Sequence, residues 1–72
     1  MKKINKIKIR LNGKIKMVSK NSNVQNLVNE FKIPINKVAI ELNDEILNKK
    51  MLKKIKLKNN DMIEIVHFIG GG

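Results

Sequence analysis

The chain reads as an α+β domain, a mixed sheet of four to five strands with one helix packed across it. Three features of its 72 residues predict this. Apolar and polar residues alternate in separated runs within 7–19, 38–42 and 62–69, the period-two pattern of strands with one buried face. A single stretch, 24–31, carries apolar side chains at helical spacing instead. Each element then has one apolar side, and laying the helix across one face of the sheet buries them together. An all-β barrel of this length would leave the 24–31 periodicity unexplained.

The elements follow in order along the chain. Ile7, Ile9 and Leu11 alternate with Lys8 and Arg10, and Asn12-Gly13 comes directly after. Asn-Gly between alternating runs predicts a hairpin, because both residues tolerate the positive φ of a type I′ turn. The return strand is residues 14–19, with Ile15 and Met17 on one face. Asn21-Ser22-Asn23 supplies helix-capping types. Ser22 with Gln25 would make a capping box, and Asn23 is an equally good cap. Val24, Leu27, Val28 and Phe31 form the helical stripe, and Pro34 disfavours helix at Ile33, ending it. Val38, Ile40 and Leu42 give a third strand, Asn43-Asp44 turns the chain, and Ile46-Leu47 is a brief fourth strand. Met51, Leu52 and Ile55 are expected in a short helical turn, with Leu57 inserted in the core beneath it. Asn59-Asn60-Asp61 turns into the last strand, residues 62–69.

Size and composition narrow the function. A chain this short buries only about 60% of the surface its unfolded form exposes, so one small aliphatic core must hold it. It has no cysteine, which excludes disulfides, thiolate metal sites and cysteine nucleophiles. One histidine and six scattered carboxylates make a metal cage or a catalytic triad hard to assemble. The basic N-terminus is not followed by the apolar stretch of a secretory signal, and nothing approaches a membrane span. The expectation is a soluble protein without membrane contact, in the cytoplasm or inside a bacterium-derived organelle. A net charge of +10 invites a nucleic-acid partner. Against it stand two Phe without Tyr or Trp as stacking platforms, and a single arginine, Arg10. Lys, Asn and Ile, which share A/T-rich codons, make up 38 of the 72 residues, so base composition is sufficient to produce the charge and a polyanion is not required by it.

The end of the sequence is its most informative part. A strongly β-forming run, residues 62–69, leads straight into Gly70-Gly71-Gly72. Three side-chain-free residues reach roughly 10 Å when extended, enough to thread a narrow channel and present a terminal carboxylate to another protein's chemistry. Residues 1–69 are thus expected to form the domain and 70–72 a flexible tail. Within the last strand Glu64 should face water, which puts Ile63 and Ile65 inward and Val66 and Phe68 on the Glu64 face. Two apolar side chains in solvent beside the tail read as a docking site for a partner. His67 has core-facing parity near the strand's exit and no evident carboxylate or hydroxyl beside it. It is assigned no catalytic role.

These residues together resemble the ubiquitin-like β-grasp sulfur carriers, and among them those of thiamine biosynthesis. The resemblance covers the whole chain. It is carried by Ile9-Arg10-Leu11-Asn12-Gly13, by residues 23–28 and 38–46, and most specifically by residues 61–72 with their glycine ending. Relatives often have glycine in the turn where this chain has Asn59-Asn60, and the lysine-rich stretch 49–58 matches least well.

The resemblance implies a β-grasp fold and a protein that is not an enzyme but a sulfur-carrying cosubstrate. A ubiquitin-activating-like adenylyltransferase would use ATP to adenylate Gly72, and sulfur from a donor protein would replace AMP and leave a thiocarboxylate. The loaded carrier would then supply thiazole synthase. Gly70 and Gly71 would thread the partner's active site, and the chain itself would bind no cofactor or metal. The small subunit of molybdopterin synthase, with the same fold and a Gly-Gly end, is the alternative. A ubiquitin-like protein modifier comes next, then a nucleic-acid-binding module.

Overall fold

The computed structural model describes residues 5–68. Strands β1 (Lys6–Leu11) and β2 (Lys14–Ser19) form a hairpin and are followed by helix α1 (Val24–Glu30). A 3-10 turn (Ile35–Lys37) leads to β3 (Val38–Leu42) and β4 (Glu45–Ile46), and a second (Lys49–Lys54) precedes β5 (Met62–His67). The strands make one mixed sheet in the order β2-β1-β5-β3-β4. The β1·β5 pair at its centre is parallel and the others are antiparallel. The α+β architecture is as expected, with the fourth strand one residue earlier, at Glu45–Ile46.

Tight turns set the register. Asn12 and Gly13 have φ of 51° and 80°, and Asn43 and Asp44 have 50° and 72°, so both hairpins turn through paired positive-φ residues as type I′ geometry requires. The first turn puts Leu11 opposite Lys14, hence Arg10 opposite Ile15 and Lys8 opposite Met17. The face shared by Ile15 and Met17 is therefore the outer one. Inward from β2 point Val18, which is buried, and Lys16, which is half-buried. Lys16 keeps its ammonium 5.6 Å from the centre of the Phe31 ring, so its stem covers apolar surface while the charge stays at the rim.

The open choice of helix cap falls to Asn23. Its side chain accepts from the Asn26 N–H at 2.7 Å, and the Asn26 side chain accepts from the Asn23 N–H at 2.9 Å. This is a reciprocal capping box built from two asparagines; Ser22 and Gln25 do not form it. The helix also stops before Pro34 acts. Lys32 takes φ of 52°, Lys32 N–H donates to the Asn29 carbonyl and Ile33 N–H to the Val28 carbonyl. That is a Schellman ending with lysine in the place usually held by glycine.

Val24, Leu27 and Val28 of α1 meet Ile9, Val38, Ile40 and Ile63 of the sheet, and Leu52 and Leu57 close the core from the side. Met51 and Leu52 lie in the short helical turn as expected, and within it Met51 is exposed. A 3-10 turn eclipses residues three apart, so Leu52 and Ile55 share its inner side and Met51 does not.

One buried carboxylate ties the turns together. Asp61 accepts from the Lys58 N–H at 2.7 Å and from Asn43 Nδ2 at 3.1 Å, and Asn43 Oδ1 accepts from the Met62 N–H at 2.9 Å. The pair couples the β3–β4 turn to the start of β5. Asp61→Ala removes the acceptor of two part-buried hydrogen bonds, whose donors lie on the exposed residues Lys58 and Asn43, and should cost about 1–2 kcal/mol. Urea denaturation would read this as a lower midpoint at unchanged slope.

Candidate functional site

The side of the sheet away from α1 is set by the alternation that builds the core. With Ile63 buried and Ile65 half-buried, Met62, Glu64 and Val66 must face outward, and all three are exposed. Val66 is 47% and Phe68 50% exposed, on the Glu64 side as the parity of β5 requires. Phe68 lies just past the strand, yet its N–H still donates to the Lys37 carbonyl at 2.9 Å. Its ring carries the ammonium of Lys49 at 5.2 Å from the centroid, a cation–π contact. The backbone leaving β5 is thus held in line, with an apolar side chain and a cation beside it.

Ile69 and the glycines Gly70, Gly71 and Gly72 lie outside the described residues. His67 pairs with Val38 at the end of the β3·β5 ladder and is exposed. Among the described residues no cluster of His, Asp or Glu could hold a metal ion, and no helix is long and apolar enough to cross a membrane. Asn60 adopts φ of 73°, so asparagine takes the left-handed turn position where glycine is common in the family that the sequence resembles.

The outer face holds more apolar surface than Val66 and Phe68. Ile15, Met17, Met62 and Ile46 are all exposed there, and Arg10 stands between its partners Ile15 and Met62. Carrying the Asn12-Gly13 register along β2 would have shown that Ile15 and Met17 face out. Glu41 and Glu64 are direct cross-strand neighbours on this face. Two like charges so placed weaken the sheet, an expense that packing does not explain. Among the described residues this face therefore combines exposed apolar side chains with Arg10 and the opposed pair Glu41 and Glu64.

Comparison with known proteins agrees with this geometry. The sequence model of the ThiS family matches residues 4–72. The sulfur carrier protein ThiS of Bacillus subtilis is 37% identical over 65 residues, which are 89% of this chain and 98% of that protein. A thiazole synthase of Paramagnetospirillum magneticum is 36% identical over 66 residues, 92% of this chain but 20% of that protein. Among solved structures, the crystal structure of a thiamine biosynthesis protein (ThiS) from Geobacter metallireducens superposes with a TM-score of 0.82 at 30% identity, covering 92% of this chain and 100% of that one.

Proposed function

Because the chain belongs to the ThiS family, the β-grasp sulfur carriers of thiamine biosynthesis, we propose that it carries sulfur as a thiocarboxylate on Gly72 and hands it to thiazole synthase. The observation that carries this reading is the family match, which runs through the glycines that follow β5.

A carboxylate is a poor electrophile, since its charge and resonance both resist a nucleophile. A ubiquitin-activating-like adenylyltransferase transfers AMP from ATP to the Gly72 carboxylate and releases pyrophosphate. The resulting acyl-adenylate has a good leaving group. Persulfide sulfur from the donor protein attacks its carbonyl carbon and AMP departs, which leaves an acyl disulfide. A second thiol of the partner proteins then attacks the donor-side sulfur, the S–S bond breaks, the two partner sulfurs are left as a disulfide, and Gly72 is released as a thiocarboxylate. Gly70 and Gly71, without side chains, pass through the partner's channel while Val66 and Phe68 seat the domain outside it. The carrier's contribution is positional. It acts as a cosubstrate, and the reactive groups belong to its partners.

Thiazole synthase is favoured as acceptor because a protein of that name contains a segment matching nearly all of this chain. Two functions joined in one polypeptide meet at high effective concentration. Relatives named for thiamine biosynthesis also favour this acceptor over a molybdopterin precursor.

The test is transfer. Thiocarboxylated protein incubated with thiazole synthase and its other substrates should lose the added sulfur and yield thiazole. Val66→Asp and Phe68→Asp should raise KM by about tenfold or more while leaving kcat little changed, as loss of docking contacts would. A loaded carrier that thiazole synthase leaves intact would refute the assignment of the acceptor.

A further inference from the structure

Between Ile46 and Asn60 the chain carries six lysines, Lys49, Lys50, Lys53, Lys54, Lys56 and Lys58, and no carboxylate. All six are exposed, while Leu52 and Leu57 between them are buried. The segment is anchored at both ends. At one, Lys49 lies over the Phe68 ring beside the exit of β5. At the other, Val24 N–H donates to the Ile55 carbonyl, Leu57 N–H to the Ser22 carbonyl, and Asn23 Nδ2 to the Lys53 carbonyl. A strip of cations with no intervening acid therefore runs from the exit of β5 to the start of α1, on a backbone tied to the core.

We propose that this strip is an interaction surface for an acidic protein surface, the one bordering the channel of the adenylating partner that receives Gly72. The inference rests on the function proposed above and adds to it a recognition element of this chain. Lysines with no acid among them repel one another, so a face that concentrates them is complementary to carboxylates. Its position fits the same partner that takes the tail, because the first cation of the strip touches the last described side chain before the glycines. A nucleic acid fits less well. The strip contains no aromatic residue and no arginine, and the ring beside it is already roofed by Lys49. Charges so placed act chiefly by steering encounter, which raises association rates and fades as salt screens them.

The experiment measures association of the full chain with the adenylating enzyme of the same organism by stopped flow. Low ionic strength (about 20 mM) is compared with high (about 500 mM), where the screening length falls to a few ångströms. Two folded double variants of equal net charge are compared, Lys49→Glu/Lys53→Glu on the strip and Lys6→Glu/Lys20→Glu on the hairpin. The strip variant should associate about tenfold more slowly than the native chain at low salt and within about twofold of it at high salt. The hairpin variant should change far less. Should the strip variant not fold, Lys49→Gln/Lys53→Gln and Lys6→Gln/Lys20→Gln replace both, with a smaller difference of the same sign.

Equal losses in both variants, or none in either, would overturn the proposal. So would a strip variant that associates normally with the enzyme but no longer binds a 30-nucleotide single-stranded RNA. Failure of the native chain to gain sulfur at saturating enzyme and ATP would count against the proposed function instead, and leaves the association comparison readable.

Discussion

A chain lacking only Gly72 is expected to fold as the full chain does and to lose at least about a hundredfold in the rate of sulfur loading. The fold is insensitive because the buried residues run from Ile9 to Ile63, all well before the glycines. The chemistry is sensitive because it depends on reach. Removing one residue withdraws the carboxylate by roughly 3.5 Å, whereas a misplacement of about 1 Å already costs on the order of a hundredfold in a reaction that depends on alignment. The shortened chain would still end in glycine, so the loss reports position and not residue type. Intact mass after a fixed time with ATP, adenylating enzyme and sulfur donor separates the two chains. Urea denaturation confirms that their stabilities agree. A truncated chain loaded at the full rate would show that the site is elsewhere.

Leu52→Ala should destabilise the fold strongly. The second 3-10 turn offers the core one buried side chain, Leu52, which is 1% exposed, and the turn packs against α1. Truncating a buried leucine costs about 2–5 kcal/mol. A domain of this size has only about 4–10 kcal/mol in total. The variant is therefore expected to be partly or largely unfolded at 37 °C, with its circular-dichroism transition lowered by more than 10 °C. The lysine strip should suffer first, since Lys49, Lys50, Lys53 and Lys54 flank Leu52 on the same turn. Met51→Ala, one position away and exposed, should change stability by less than about 0.5 kcal/mol. That contrast distinguishes an anchored turn from a loose loop.

Much of this fold was legible where a residue type has one conformational use. Asn12-Gly13 between alternating runs meant a type I′ turn and set the register of β1 and β2. The spacing of Val24, Leu27, Val28 and Phe31 meant a helix with one buried side. Parity in β5 placed Val66 and Phe68 outward from the single charge at Glu64. What was not legible depended on partners far along the chain. Lys32 ends the helix in a left-handed conformation that lysine does not advertise. Asn12 Oδ1 accepts from the Ile65 N–H and Asn59 Oδ1 from the Lys8 N–H, so two asparagines legible only as turn residues also complete the backbone bonding of the central strands. The outward turn of Ile15 and Met17 does not follow from the period of two alone, which shows that two faces differ without showing which is buried. It follows once the Asn12-Gly13 register is carried from β1 to β2. At the site, the chemistry assigned to Gly72 came from the glycine run and the family resemblance, whereas the structure contributed the surroundings of the β5 exit, namely Phe68, Lys49 and the opposed Glu41 and Glu64.

The central claim is that Gly72 bears the cargo, and fragmentation mass spectrometry of the loaded protein tests it most directly. After reaction with ATP, the adenylating enzyme and the sulfur donor, replacement of one carboxylate oxygen by sulfur should add about 16 Da (the difference between the two atomic masses). Only fragments that contain Gly72 should carry it. An unchanged mass, or the same increment on a fragment that stops short of Gly72, such as oxidation of Met17 or Met62, would contradict the account.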